Sequence, residues 1–233
     1  MLLMKAQQHF IVRRSRRARN LLLHVDVTGA VEVVVPWRAS YKEAEQFVHE
    51  KSAWLTRALK EAEQKRREQP QRRLVSGEVL PLLGDDYTLR VIVDPQRVRS
   101  SSGEADYELS IFVSEKRKVR AAVTAWYKKR ARQYFAQQVR VFTEQLGVQA
   151  GALAVSSARS QWGSCIPQTG RISLNWRLLL AHEAVARYVV AHEVAHLQER
   201  RHTPTFWRIV AQLSPDYAQR RRWLRSRSHT LQL

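Results

Sequence analysis

The chain has 233 residues, a single cysteine and a formal net charge of +19, from 40 Lys and Arg against 21 Asp and Glu. A chain of this length buries a hydrophobic core without disulfides, and one cysteine excludes an internal disulfide. No apolar run approaches the roughly 20 residues that a membrane-spanning helix needs, so the composition is that of a globular protein.

The N-terminus, Met1 to Lys5, has too few apolar residues for the hydrophobic stretch of a signal peptide. A lone cysteine is also typical of a reducing compartment. We therefore expect a soluble, cytoplasmic protein with no membrane partner, and the sequence does not specify an oligomeric state.

Short β-prone runs dominate the first 114 residues. The first two runs flank a Thr-Gly-Ala turn signal, which predicts a hairpin, and glycine-containing turns separate the later ones. The predicted strands are 21–27, 31–35, 79–83, 87–93 and 107–113.

One helix is predicted within this β-rich region. Ser40 and Glu43 have the spacing of a capping box, and the apolar residues that follow recur at helical spacing to about Leu59. A charged continuation ends at Pro70. Residues 1–114 are thus predicted as a β-rich N-terminal region with one helix.

Helical patterns dominate from Glu115 onward. Apolar spacing predicts one long helix to Leu146, with Gly147 as its stop, and this helix joins the first region to a second region at 115–233. The later predicted segments are strands near 153–157 and 171–176, a turn-rich stretch at 161–170, a helix at 183–200, and helices that start at Thr203-Pro204 and Ser214-Pro215.

The sequence His-Glu-Val-Ala-His at positions 192–196 is an H-E-x-x-H motif inside a predicted helix. Residues four apart lie on one helical face, so His192 and His196 can bind one zinc ion. Glu193 is then placed to accept a proton from an attacking water and to return it to the leaving amine. Manganese, cobalt and nickel are alternative occupants of such a site.

A catalytic zinc ion usually has three protein ligands. We place the third at His202, which follows the predicted end of the helix and precedes the helix start at Thr203. A chain reversal there can return an imidazole to the metal. The alternative third ligands are His182, Glu183 and Glu199.

These residues, together with Ser-Gln-Trp-Gly-Ser-Cys at 160–165 and Leu-Asn-Trp-Arg-Leu at 174–178, resemble the YgjP-like metallopeptidase family, a relative of the SprT-like zincins. The resemblance runs from the basic segment at 13–19 to Arg220–Leu224. It implies an α+β fold, in which the β-rich N-terminal half is joined by the long helix to a zincin-like helical half that has the motif on its active-site helix. Gln161 departs from the family, which more often has arginine there.

The resemblance also implies a substrate groove beside the metal. Its candidate residues are Trp162, Gly163 and Ser164, for which the alternative is structural packing. Asn175 and Arg177, together with Arg159, are further candidates for binding a substrate carbonyl or a phosphate. Cys165 has no assignable base partner, so we interpret it as a structural thiol rather than a nucleophile.

The leading functional hypothesis is hydrolysis of peptide bonds in a peptide or protein, with one zinc ion as cofactor and Glu193 as general base. An alternative attached to the family is hydrolysis of nucleoside triphosphates to monophosphate and pyrophosphate. A third hypothesis is a basic nucleic-acid-binding module with a non-catalytic zinc ion, although a closed structural site would need a fourth strong ligand.

The positive charge is concentrated in clusters that can attract nucleic acid, nucleotides or acidic chains. An arginine-rich, solvated surface is the alternative interpretation. The clusters lie at 13–19, 65–73, 116–120, 128–132 and 220–227.

Overall fold

The computed structural model describes residues 10–26 and 28–233. It divides the chain into two compact units, residues 1–69 and 70–233. Met1 to Lys5, where no signal peptide is expected, and Val27, at the end of the first predicted strand, lie outside the described residues. Within the described part of the chain, no helix is both long and apolar enough to cross a bilayer.

The N-terminal unit is a three-stranded sheet with two helices. Its elements are β1 (Ile11–Ser15), β2 (Leu22–Val25), β3 (Val31–Pro36), α1 (Tyr41–Glu50) and α2 (Ser52–Glu68). The central strand β3 pairs with β2 in antiparallel fashion, which confirms the predicted hairpin, and with β1 in parallel. The core of the unit consists of Val31, Val33, Val35, Ala44, Val48 and Leu55.

The capping box at the start of α1 is present. The Ser40 hydroxyl accepts a hydrogen bond from the Glu43 backbone N–H, and the Glu43 carboxylate accepts one from the Ser40 N–H. The prediction of a single helix is wrong, however, because α1 ends at Lys51 and α2 begins beside it. Val48 and Leu55 are buried on either side of the break and are seven residues, or two helical turns, apart. The helical spacing of apolar residues therefore continues across Lys51, and the sequence pattern does not reveal the break between the two helices.

The larger unit begins with a four-stranded sheet. Its strands are β4 (Val79–Leu82), β5 (Asp85–Val93), β6 (Ser101–Ala105) and β7 (Glu108–Val113), in the order β4-β5-β7-β6. The parallel pair β5–β7 lies at the centre. Only a glycine-containing turn was predicted between the strands at 87–93 and 107–113, and that prediction is wrong, because the polar residues Ser101–Ala105 form β6, which pairs with β7.

The long helix α3 (Val119–Leu146) packs on this sheet. A short 3-10 turn at Lys116–Lys118 precedes it, and it ends at Gly147, which has the left-handed φ of 64° expected of a helix stop. Tyr127, Phe135 and Phe142 of α3 are fully buried and share one core with strands of the sheet.

A second sheet follows α3 and leads to the C-terminal helices. It contains β8 (Leu153–Ser156), β9 (Gly163–Ile166) and β10 (Arg171–Asn175) in the order β8-β10-β9, so β9 is an edge strand. The prediction of turns throughout 161–170 missed β9, because its first residues, Gly163 and Ser164, are not strand formers and the strand is ordered by pairing with β10.

Three helices complete the unit: α4 (Glu183–Ala195), α5 (Pro204–Leu213) and α6 (Tyr217–Arg227). Thr203 caps α5 and Pro204 is its first residue, as predicted. The predicted end of α4 at Arg200 is wrong, because His196 is its C-terminal cap, and α6 begins at Tyr217 after a turn rather than at Pro215. The fold class is nonetheless the predicted α+β.

Candidate metal centre

The helix α4 positions the H-E-x-x-H motif and is anchored at its N-terminal end. The His182 ring nitrogen Nδ1 accepts a hydrogen bond from the Ala184 N–H at 3.3 Å, which caps the helix. The Glu183 N–H donates to the Leu83 carbonyl in the turn between β4 and β5. Gly84 in the same turn packs so closely that an added Cβ would lie 3.0 Å from the His182 ring.

Three imidazoles converge near the C-terminal end of α4. His192 and His196 lie one turn apart with ring centroids 5.0 Å apart, and the His202 ring lies 5.0 Å and 4.9 Å from them. One ring nitrogen of each histidine lies within 4.8 Å of the other two. The structure thus brings together the three residues that the sequence nominates as ligands.

The turn after α4 returns His202 to the motif. The Thr203 hydroxyl accepts a hydrogen bond from the Phe206 N–H, so α5 begins directly after His202. The C-terminal cap of α4 is His196, so the chain reverses its direction over the five residues 197–201 before it reaches His202.

Two aromatic residues of α5, Phe206 and Trp207, support the three imidazoles. The fully buried Phe206 ring lies 4.9, 4.5 and 4.7 Å from the rings of His192, His196 and His202. The Trp207 ring stacks on His202 at 5.7 Å. These roles were not predicted from the sequence, although the spacing of four and five residues from His202 places both rings on the first turn of α5.

The electrostatic environment favours neutral imidazoles. Burial, together with the neighbouring rings of His196 and His202, lowers the pKa of His192 to about 3, and burial also lowers the pKa of His196. Neutral imidazole is the form that binds a metal. The His196 Nδ1 lies 3.1 Å from the Glu199 carbonyl oxygen, which fixes the proton there and leaves Nε2 as the ligand atom.

The distances fit one ion. The Nε2 atoms of His192 and His202 are 3.1 Å apart. Two nitrogens bound tetrahedrally to one zinc ion at about 2.0–2.1 Å would be about 3.3 Å apart. The donor set, three converging imidazole nitrogens that border a pocket, therefore fits a divalent metal ion such as zinc.

Glu193 is buried beside the triad and lies against Gly163. Only 5% of its surface is exposed, and burial raises the pKa of its carboxyl to about 8. A Cβ added at Gly163 would lie 2.5 Å from Oε1 of Glu193. The absence of a side chain at position 163 is therefore what gives the carboxylate its space.

Two adjoining pockets share His192, Glu193 and Gly163. The larger, of about 450 Å³, extends over the three histidines and is also lined by Ser164, Cys165, Pro167 and Arg200. The smaller, of about 180 Å³, is lined on its other sides by Trp162, Tyr188, Val189 and Leu224. The sequence pattern did not nominate Arg200, Tyr188 or Leu224.

Asn175 and Arg177 line neither pocket. The buried Asn175 amide donates hydrogen bonds to the carbonyls of Ala158 and Gln161, and its oxygen accepts one from the Arg177 N–H. The Arg177 guanidinium lies over the Trp176 ring and donates to the Ser157 carbonyl. These contacts order the loop that leads into β9.

The alternative third ligands have other contacts. His182 caps α4, and the Glu183 carboxylate accepts a hydrogen bond from the Tyr134 hydroxyl. The Glu199 carboxylate accepts one from the Arg201 N–H. Burial and the nearby Glu193 carboxylate raise the pKa of Cys165 to about 11, so its thiol is protonated at neutral pH.

Comparisons with known proteins give one family. The model of the YgjP-like family, described as "YgjP-like, metallopeptidase domain", matches residues 19–227. A comparison with curated proteins found no match. Among solved structures, the metallopeptidase zymogen abylysin of Pyrococcus abyssi is 23% identical, with a TM-score of 0.36; the alignment covers 39% of this chain and 92% of that one.

Proposed function

Because the chain belongs to the YgjP-like metallopeptidase family, we propose that it hydrolyses peptide bonds with a zinc ion held by His192, His196 and His202. The supporting observation is the convergence of three imidazole nitrogens beside a buried carboxylate. Zinc, when bound, supplies a Lewis acid that makes water nucleophilic near neutral pH.

Glu193 is the proposed general base. Its buried position raises the pKa of the free carboxyl, whereas a cation bound by the adjacent imidazoles would lower that pKa and favour the carboxylate. The carboxylate would accept a proton from water as the water attacks the carbonyl, and then deliver that proton to the leaving nitrogen.

The edge strand β9 supports a peptide as the substrate. Gly163, Ser164 and Cys165 line the larger pocket, and β9 is paired only on its β10 side within the described sheet. An extended peptide can add to such an edge through main-chain hydrogen bonds, as in other β-augmentation complexes. This arrangement would place a scissile carbonyl near the three histidines.

The two other functions receive less support. A triphosphate substrate requires several cationic contacts, and Arg200 is the single arginine or lysine among the described residues that line the two pockets. A structural zinc site does not require a carboxyl group at position 193. Burial raises the pKa of the Glu193 carboxyl, so ionising this group inside the protein costs free energy without benefit to a purely structural site.

The variant Glu193→Gln tests the proposal. We expect it to bind one zinc ion per chain and to lose peptidase turnover by about 10²- to 10⁴-fold, because only proton transfer is removed. The measurements are metal content and cleavage of denatured proteins and a peptide library, with nucleoside triphosphates assayed in parallel.

The matched control is Glu144→Gln, the same change at an exposed position of α3. Normal peptidase turnover in Glu193→Gln would contradict the mechanism. Hydrolysis of triphosphates but not of peptides by the unmodified chain would favour the nucleotide alternative.

A further inference from the structure

The N-terminal unit has exposed arginines close in sequence and in strand register to two exposed aromatic rings. We call the surface that they form the arginine–aromatic surface and define it by Arg14, Arg16, Arg17, Trp37, Arg38 and Tyr41, all of which are exposed. It lies along β1, one of the two edge strands of the sheet, and along the segment that joins β3 to α1.

The charge of this surface is largely uncompensated. Residues 10–20 include five arginines and no Asp or Glu. Arg13 is paired with Glu32 at 2.7 Å, whereas Arg14, Arg16 and Arg17 form no ion pair with a carboxylate in the described part of the chain. The nearby Glu43 is engaged in the capping box of α1. The surface therefore attracts polyanions.

Two aromatic rings of the surface are accessible for stacking. Trp37 is 53% exposed, and the Arg16 guanidinium lies 5.0 Å from its ring centroid. Tyr41 is 55% exposed and stacks on Phe10 at 5.8 Å, with the rings 12° from parallel. Each ring is thus held in place by a neighbour while a large part of it remains open to solvent.

The register of the sheet places these groups together. Arg14 pairs with Val35 and Ser15 with Pro36 in the parallel β1–β3 ladder, so Arg16 and Trp37 continue the two strands side by side. At the other end of β1, Phe10 contacts Tyr41. The two rings therefore flank the arginines of the edge strand.

We propose that the arginine–aromatic surface binds single-stranded nucleic acid, with the arginines on phosphates and with Trp37 and Tyr41 stacked on bases. Cationic grooves with aromatic platforms are the usual chemistry of single-strand binding. A duplex would use only the charges, because its bases are already stacked. This binding is separate from the proposed hydrolysis, since its residues all belong to the N-terminal unit.

The test is fluorescence anisotropy of labelled oligo(dT) and oligo(U) with the full chain, at several salt concentrations. We expect Kd values of about 1 to 100 µM near physiological salt. Trp37→Ala should weaken binding about tenfold. Arg14→Glu/Arg17→Glu should weaken it more and should reduce the slope of log K against log salt by about 0.7 for each phosphate that is no longer neutralised.

The matched control is Arg57→Glu/Lys60→Glu, which makes the same charge change at exposed positions of α2. We expect it to weaken binding less than about threefold, since α2 contributes no residue to the arginine–aromatic surface and its charges act on the bound strand only through screened attraction. Circular dichroism of each variant verifies folding. The two oligonucleotides distinguish DNA from RNA as the bound strand.

Three results would overturn the proposal. The first is equal weakening by the control pair and by Arg14→Glu/Arg17→Glu, which would indicate unspecific attraction. The second is equal affinity for a duplex of the same length. The third is Trp37-dependent binding to vesicles that contain anionic phospholipid, without binding to either oligonucleotide.

Discussion

Gly163 determines where the Glu193 carboxylate lies. An added Cβ would be 2.5 Å from Oε1, 2.7 Å from Cγ and 2.8 Å from Cδ of Glu193, and all three distances are shorter than real contacts. Because Glu193 borders two pockets, an added Cβ at position 163 would push its carboxylate out of its present position and into that open space. Under the proposed mechanism, the glycine therefore affects proton transfer through the position of the Glu193 carboxylate.

We expect Gly163→Ala to retain zinc and to lose peptidase turnover, because the displaced carboxylate no longer lies beside the attacking water. A misplacement of about 1 Å costs about 10²-fold in rate. The measurements are metal content and kcat. In the control Gly103→Ala, the added Cβ would have ordinary contacts of 3.8 Å or longer, so turnover should be unchanged.

Cys165 should react slowly with alkylating reagents. Because its pKa is raised to about 11, the thiolate fraction at pH 8 is about 200-fold smaller than for an ordinary thiol with a pKa near 8.5. Iodoacetamide kinetics on the metal-free chain should therefore accelerate with pH up to about 11. The same chain in denaturant supplies the reference rate, and equally fast reaction in the folded chain would contradict the raised pKa.

The sequence could nominate the three histidines and Glu193 because their chemistry imposes a spacing. A pair of histidines four residues apart in a predicted helix, followed by a histidine in the next predicted turn, can be recognised from the sequence alone. Phe206 and Arg200 were not nominated, because their roles depend on how α5 and the turn after α4 approach the motif. That the histidines bind zinc remains a prediction.

At the scale of elements, the start of α5 determines the position of His202. The Thr203 hydroxyl accepts the Phe206 N–H, and this contact orders the chain immediately after the third histidine. The same first turn presents Phe206 to all three imidazoles. One cap thus supports both a proposed ligand and its packing.

We expect Thr203→Ala to lower the free energy of unfolding by about 1 kcal/mol, because an unsatisfied N–H remains at the helix start. Zinc affinity should fall as well, since His202 loses its fixed position. Denaturant titration and zinc competition measure the two effects. Thr203→Ser retains a hydroxyl and should restore both; failure of the serine to restore zinc affinity would argue against the cap as the cause.

Helices were easier to predict than short strands, for physical reasons. The 28-residue α3 has a sustained apolar period and a glycine stop, so its extent was foreseen. The strands β6 and β9 are polar or small in sequence and exist because a neighbouring strand pairs with them. The break at Lys51 was hidden by an apolar pattern that stays in phase.

At the scale of the whole molecule, the two units have separate hydrophobic cores. The three histidines belong to the larger unit, and the core of the smaller unit is formed by β3, α1 and α2. Division into units was not visible in composition, because charged and apolar residues are mixed throughout the chain. Metal binding should therefore stabilise the core of the larger unit and leave the core of the smaller unit unchanged.

We expect zinc to stabilise the larger unit selectively. Binding to the folded state alone adds about 2.7 kcal/mol when the free zinc concentration is 100 times Kd. Hydrogen exchange with and without a chelator should show protection by zinc in α4 and β10 and no change in β3. Equal protection in both units, or none in either, would contradict this expectation.

The turn between β4 and β5 seats the helix that bears the motif. Leu83 donates to the Leu179 carbonyl at 2.7 Å and accepts from the Glu183 N–H at 2.9 Å, while Gly84 faces the His182 ring. The position of the H-E-x-x-H helix consequently depends on the β4–β5 hairpin. A transplant of this helix into another scaffold would need to include the hairpin. In a relative with a longer or shorter hairpin, we expect the helix and its motif to be displaced along the helix axis.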